Sequence, residues 1–90
     1  MEFEYDPNKS ASNKVKHGID FEEAKHLWDE PVVVAAADAG SDDSRTLVFG
    51  TIKGKHWTVV VTEREGRIRL ISARRSRKSE EAIYDCKKDD

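Results

Sequence analysis

The chain has 90 residues, of which 38% are charged and 37% hydrophobic, and its formal net charge is −2. A chain of this length is expected to form one domain with one modest core, because it can bury only about 60–65% of its unfolded surface. No apolar run approaches a membrane span and the N-terminus lacks a signal-peptide pattern, so we predict a cytoplasmic protein without membrane contact, whose lone Cys86 excludes an internal disulfide.

A short strand and a helix are predicted at the start of the chain. Residues 3–5 alternate as a strand does, and Asp6-Pro7 is typical of a helix start, with an N-cap carboxylate before a proline at the first helical position. This helix is predicted to run to about His17 and to end at Gly18, because glycine readily adopts the left-handed conformation that closes a helix.

A second helix is predicted to follow at once. Asp20 has the position of its N-cap, and Glu23 completes a capping-box pattern three residues later. Pro31 is expected to end this helix, since proline lacks the backbone donor that the helix interior needs. The apolar face has four residues at helical spacing: Phe21, Ala24, Leu27 and Trp28.

From Val32 onward the pattern is that of strands. Apolar and β-branched runs predict strands over residues 32–37, 46–52, 56–63 and 67–73, with a loop at 38–44 and turns at 53–55 and 65–66. The apolar run in the last strand breaks strict alternation, which we interpret as burial on both faces; its members are Ile68, Leu70 and Ile71. A short helix is predicted from Arg77 to about Lys87, with Ile83 as its main apolar contact.

The element order β-α-α-β-β-β-β-α predicts an α+β fold. Consecutive strands joined by short turns form an antiparallel sheet of about five strands, with the two N-terminal helices on one face and a short C-terminal helix. We expect most of the core to come from eight residues: Phe21, Ala24, Leu27, Trp28, Val59, Val61, Ile68 and Leu70.

Charge is segregated along the chain. Residues 63–78 contain seven basic side chains and two acidic ones, whereas acids concentrate in residues 20–30, 38–43 and 85–90. A protein that is acidic in total can therefore present a local anion-binding surface, and arginine's planar fork suits phosphate. RNA is the leading candidate for the bound polyanion.

Metal-independent RNA cleavage is a reaction that these side chains could support. The ribose 2′-OH attacks the neighbouring phosphate, so the protein supplies a proton acceptor, a proton donor and positive charge. For His17, capping of a helix C-terminus is the favoured interpretation and a catalytic or RNA-contact role is the alternative, and each arginine alone could serve only solubility. The three histidines are dispersed and the acidic segments lack a calcium-loop order, so we expect no metal and no cofactor.

Three segments of the chain carry a family signature: Phe3-Glu4-Tyr5-Asp6-Pro7, Asn13-x-x-Lys16-His17-Gly18-x-x-Phe21-Glu22-Glu23-Ala24, and Arg69-x-Ile71-Ser72-Ala73-Arg74-Arg75 followed by Glu80 and Tyr84. With these segments the chain resembles the BrnT family of type II toxins, whose members are similar to RelE-like ribonucleases. The opening segment has Tyr5 where the family usually has tryptophan, and Ser41 stands near the position of a family histidine that follows the acid matched to Asp38.

The resemblance implies a single RelE-like domain over residues 1–90, a toxin that cleaves RNA and inhibits translation. It also implies a BrnA-type ribbon-helix-helix antitoxin as partner, through which alone the chain would meet DNA. We expect catalytic roles for Arg64, Arg69, Arg74, His17 and Glu80, and RNA binding by Arg75, Lys14, Lys16, Arg45 and Tyr84. The alternative is a non-catalytic RNA- or protein-binding module on the same fold, a decayed toxin, which Ser41 favours.

Overall fold

The structure, a computed structural model, describes residues 2–36 and 45–87. The predicted loop over residues 38–44, with Asp38 and Ser41, lies outside the described residues. The elements follow the predicted order, except that the second helix continues as a 3-10 helix: β1 (Phe3–Glu4), α1 (Pro7–His17), α2 (Phe21–Ala24), the 3-10 helix (Lys25–Asp29), β2 (Val33–Ala36), β3 (Arg45–Ile52), β4 (Lys55–Arg64), β5 (Arg67–Arg75) and α3 (Lys78–Lys87).

The five strands form one sheet in the order β1-β5-β4-β3-β2. Strands β2 to β5 are an antiparallel meander, as predicted. Strand β1 joins the far side of β5 in parallel, with Phe3 opposite Ile68 and Glu4 opposite Arg69, so the complete sheet is mixed. The α+β class, the five strands and the placement of the helices are confirmed.

The core lies between the sheet and the first two helices. Phe21, Ala24 and Leu27 are fully buried against apolar residues of β3, β4 and β5. Six of the eight predicted core residues are buried, whereas Trp28 and Ile68 are half-buried at the margin. Ile19, Val48 and Ala73 complete this core, and the sequence analysis did not single them out.

Two buried polar side chains fix the first helix to its neighbours. The amide of Asn13 donates to the carbonyls of Ile19 and Ala73, both at 2.8 Å, and its oxygen accepts from the Ala73 N–H at 3.1 Å. Ser10 Oγ accepts from the Phe21 N–H at 2.9 Å. These bonds stabilise the sharp connection at Gly18, where φ is 81° as the predicted helix end requires.

A β-bulge explains why β5 breaks apolar alternation. Val60 pairs with Ser72 and Val61 with Leu70, so Ile71 is the extra residue on β5. The bulge resets the alternation, and Leu70 and Ala73 both enter the core although three positions separate them. The predicted cause, burial of the strand on both faces, is therefore wrong.

The last helix packs on the opposite face of the sheet. Glu80 and Tyr84, four residues apart, are its buried side chains; Glu80 accepts a hydrogen bond from Thr58, and Tyr84 packs edge-on against His56. Ile83 is 41% exposed, so its predicted role as the main apolar contact of this helix is wrong. The polar Glu80 and the amphipathic Tyr84 take that place because the helix docks on a partly polar strand surface.

Candidate active site

Part of the sheet surface opposite α1 and α2 is left uncovered by the described residues. Since Val59, Val61 and Leu70 enter the core, the intervening positions of β4 and β5 point to the other side. We call this surface the open face, and its residues are Glu4, Arg45, Leu47, Val60, Thr62, Arg64, Arg67, Arg69 and Arg74.

Glu80 holds Arg74 at the border between the open face and α3. The guanidinium donates to both carboxylate oxygens, from Nη1 at 2.7 Å and from Nη2 at 2.8 Å. The Thr58 hydroxyl and the Arg77 N–H donate to Oε1 at 3.1 Å and 2.8 Å. A fork of this kind fixes the orientation of a guanidinium as well as its position.

The same contacts keep Glu80 ionised. Mainly because Arg74 is bonded to it, the pKa of the Glu80 carboxyl falls from 4.5 to about 2, although burial alone would raise it. The bond also raises the pKa of Arg74. With both oxygens engaged and such a low pKa, Glu80 is a poor proton acceptor at neutral pH.

A second arginine–carboxylate pair lies at the other end of the open face. Arg69 Nη1 donates to Glu4 Oε2 at 2.8 Å, and both side chains are about three-tenths exposed. Glu4 bonds through one oxygen only among the described residues. Sequence analysis missed Glu4 as a site residue, although the alternation of residues 3–5 places it on the face opposite Phe3 and Tyr5.

Strand register aligns this pair with further polar side chains. Arg45 is opposite Thr62, Thr62 is opposite Arg69, and Arg69 is opposite Glu4, so the four residues form one row across β3, β4, β5 and β1. Neighbouring strands lie about 4.8 Å apart, which places the backbones of Arg45 and Arg69 about 10 Å from each other.

Two arginines of the open face have no carboxylate partner within residues 2–36 and 45–87. Arg45 and Arg64 are both exposed and form no ion pair there, whereas Arg67 contacts Glu2 at 3.3 Å. The face therefore combines guanidinium groups that carboxylates hold in place with exposed guanidinium groups that have no carboxylate partner in the described part of the chain. That combination suits a phosphate, which several donors must surround at once.

The comparison with known families agrees with this chemistry. The family described as "Ribonuclease toxin, BrnT, of type II toxin-antitoxin system" matches residues 5–80. The chain belongs to the BrnT family. It is therefore a toxin that acts on RNA and is paired with an antitoxin. Among curated proteins, none matches the chain significantly.

The BrnT fold brings five of the ten predicted site residues to the open face or its border. Arg64, Arg69 and Arg74 lie there with Arg45, and Glu80 joins them through Arg74. Tyr84 is a buried docking residue of α3, donating from its hydroxyl to the Pro31 carbonyl at 3.4 Å and packing edge-on against His56.

The other four predicted residues of this BrnT toxin lie elsewhere. Lys14, Lys16 and His17 belong to the last turn of α1, and Lys14 is paired with Glu23 at 2.6 Å. Arg75 is opposite Trp57 on the core side of the sheet, and its guanidinium lies 5.5 Å from the centre of the Trp57 ring. Sequence spacing alone could not separate them from the open face.

The described part of the BrnT chain offers no candidate for two other kinds of site, a metal centre and a membrane-spanning helix. Within residues 2–36 and 45–87, no three His, Cys, Asp or Glu side chains are grouped so that they could hold a metal ion. No helix in that part of the chain is long and apolar enough to cross a membrane.

Proposed function

We propose that this BrnT toxin is a metal-independent endoribonuclease that cleaves RNA on its open face and so inhibits translation in the cytoplasm. The observation that carries the proposal is the row Arg45, Thr62, Arg69 and Glu4, with Arg64 beside it and Arg74 held by Glu80. It places several guanidinium groups and a partly exposed carboxylate on one surface.

The arginines supply positive charge to the scissile phosphate. Arg69 and Arg74 are oriented by carboxylates before substrate arrives, so little reorganisation is needed when charge develops in the transition state. Arg45 and Arg64 are free to close on the phosphate from β3 and β4. Guanidinium groups in this role replace the charge that a metal ion would otherwise provide.

Glu4 is the proton acceptor in this proposal. It takes the proton of the 2′-OH as the 2′-oxygen bonds to phosphorus, and the 5′-oxygen leaves and takes a proton from water. Glu80 holds Arg74 instead of accepting a proton, because both of its oxygens are engaged. His17, a candidate for this role by its chemistry, lies in the last turn of α1, at a pocket beside the edge of β5.

Single-turnover cleavage at saturating enzyme tests the assignment. Glu4→Gln keeps the side-chain size, and we expect it to lower the rate by about 10²–10⁴. Glu2→Gln is the matched control. Glu2 directly precedes β1 and also pairs with an arginine of β5, Arg67, but its side chain is 76% exposed. Equal losses in the two variants would mean that Glu4 only holds β1 in place.

The arginines and the metal are tested in the same assay. Arg69→Ala and Arg64→Ala should each lower the saturated rate by about 10²–10³, the usual loss when one transition-state donor is removed. Loss of an arginine that only attracts RNA would weaken binding and leave this rate unchanged.

Activity must survive EDTA, and an RNA with a 2′-deoxy residue at the cleaved position must resist cleavage. If the unaltered protein binds RNA without cleaving it, the non-catalytic alternative holds.

A further inference from the structure

A cationic pocket lies between α1 and the outer edge of β5. It has a volume of about 270 Å³ and is lined by α1 and by the bulged part of β5. We call it the α1 pocket; besides Asn13, its lining residues are Lys9, Ser12, Lys16, His17, Ile71 and Ser72.

Helical spacing puts the polar lining of the α1 pocket on one stripe. Lys9, Ser12 and Lys16 are at i, i+3 and i+7 and are exposed, whereas Asn13 below them is buried and bonded to the edge of β5. The stripe therefore faces the edge of β5, where the backbone N–H and C=O of Ala73 already bond to Asn13. What remains for a ligand is ammonium, imidazole and hydroxyl groups.

No carboxylate neutralises this pocket among the described residues. Lys9, Lys16 and His17 form no ion pair there, while Lys14 on the same helix is paired with Glu23, and Lys25 with Glu22. Two unpaired ammonium groups over a concave surface attract an anion, and two hydroxyls can donate hydrogen bonds to its oxygens.

The α1 pocket is continuous with the open face around the edge of β5. Strand β1 covers that edge only at Ile68 and Arg69, and no strand of the described residues pairs with the outer side of β5 beyond them. Ser72 is opposite Val60, which belongs to the open face, and Ser72 also lines the pocket. An extended polyanion can therefore pass from one surface to the other without crossing a further strand.

We propose that the α1 pocket binds a backbone phosphate of the RNA that flanks the cleaved step. The proposal rests on the RNA substrate of the proposed function but not on its chemistry. Lys9 and Lys16 contact the phosphate, and the Ser12 and Ser72 hydroxyls orient it. Lys16, predicted from the sequence to bind RNA, and His17, predicted to be catalytic, then both lie at a pocket that binds RNA beyond the cleaved step and take no part in breaking the bond.

The test compares a long and a short RNA that share the same cleaved step. With fluorescence anisotropy, Lys9→Ala/Lys16→Ala should weaken binding of an RNA extended by six nucleotides on each side on the order of tenfold, and lower its salt slope by about 1 for each lysine that contacts phosphate. Binding of a trinucleotide should not change. Both sites are exposed helix positions, where alanine keeps the helix.

A charge-matched control separates this site from the general field of the protein. Lys53→Ala/Lys87→Ala removes the same charge from positions outside the pocket and should change binding of the long RNA much less. Equal weakening by both double variants, or equal weakening for long and short RNA, overturns the proposal. Absence of cleavage by the unaltered protein contradicts only the proposed function, because the anisotropy comparison still measures RNA binding at the pocket.

Discussion

At the scale of the residue, Glu80 carries the clearest dependence on pH. Its pKa falls to about 2 in the folded chain, against about 4.3 for an unfolded glutamate, so it stabilises the fold at pH above 4.3 and loses this contribution as pH falls towards 2. Glu80→Gln should cost on the order of 3 kcal/mol at pH 7, because it leaves Arg74 without its buried counter-charge.

Urea unfolding from pH 2 to 7 measures this difference. The gap between Glu80→Gln and the unaltered protein should close as the solution becomes acidic, and Glu65→Gln, in the exposed β4–β5 turn, should show no comparable gap. A gap that stays constant across this range would mean that Glu80 stabilises by packing alone. The cleavage rate of Glu80→Gln should also fall, since Arg74 would lose its orientation.

The site residues could be predicted from sequence only in part. The arginine-rich strand and the hairpin turn at residues 65–66 were enough to group Arg64 with Arg69. Glu4 pairs with Arg69 because β1 lies parallel to β5. The two residues are 65 positions apart in the sequence, and no local pattern indicates that these strands are neighbours. The chemistry of His17 predicts a role beside the arginines, but α1 places this residue at the edge of β5.

At the scale of the element, the close approach of the 3-10 helix to β3 is the feature most sensitive to volume. A Cβ on Gly50 would lie 2.8 Å from Leu27 Cγ and 3.3 Å from Val32 Cγ1. Gly50→Ala should therefore cost about 1–3 kcal/mol by overpacking, and Leu27→Ala about 2–5 kcal/mol by leaving a cavity.

The double variant tests this contact directly. In Gly50→Ala/Leu27→Ala the added methyl group occupies part of the space that Leu27 vacates, so its loss of unfolding free energy should be smaller than the sum of the single losses. Chemical denaturation of the four proteins completes the cycle. Strict additivity would show that the 3-10 helix relaxes away from β3 and that the close approach is not a constraint.

Elements with local signals were predictable, and those set by packing were not. The cap at Asp6, the capping box of Asp20 with Glu23 and the left-handed Gly18 all form as the sequence indicates, because each depends on residues within one turn. The change from α-helix to 3-10 helix at Lys25 and the bulge at Ile71 depend on contacts with the sheet. Such contacts override local preference, and the bulge shows in the sequence only as broken apolar alternation, a pattern that burial on both faces would also produce.

At the scale of the whole molecule, uneven charge explains how an acidic chain can act on RNA. The formal net charge is −2, yet the open face carries Arg45 and Arg64 without carboxylate partners in the described chain. An antitoxin neutralises such a surface most directly by covering it with acidic or apolar segments. We therefore expect a BrnA-type antitoxin to dock on the open face and to compete with RNA.

Arginine-specific labelling, read by mass spectrometry with and without that antitoxin, measures the coverage. Arg45 and Arg64 should lose reactivity in the complex, while Arg75, exposed on the other side of the sheet, serves as the internal control. Loss at Arg75 alone would place the antitoxin beside Trp57 and indicate inhibition at a distance. Added RNA should restore no reactivity at Arg45 or Arg64, since in this arrangement RNA and antitoxin occupy the same surface in turn.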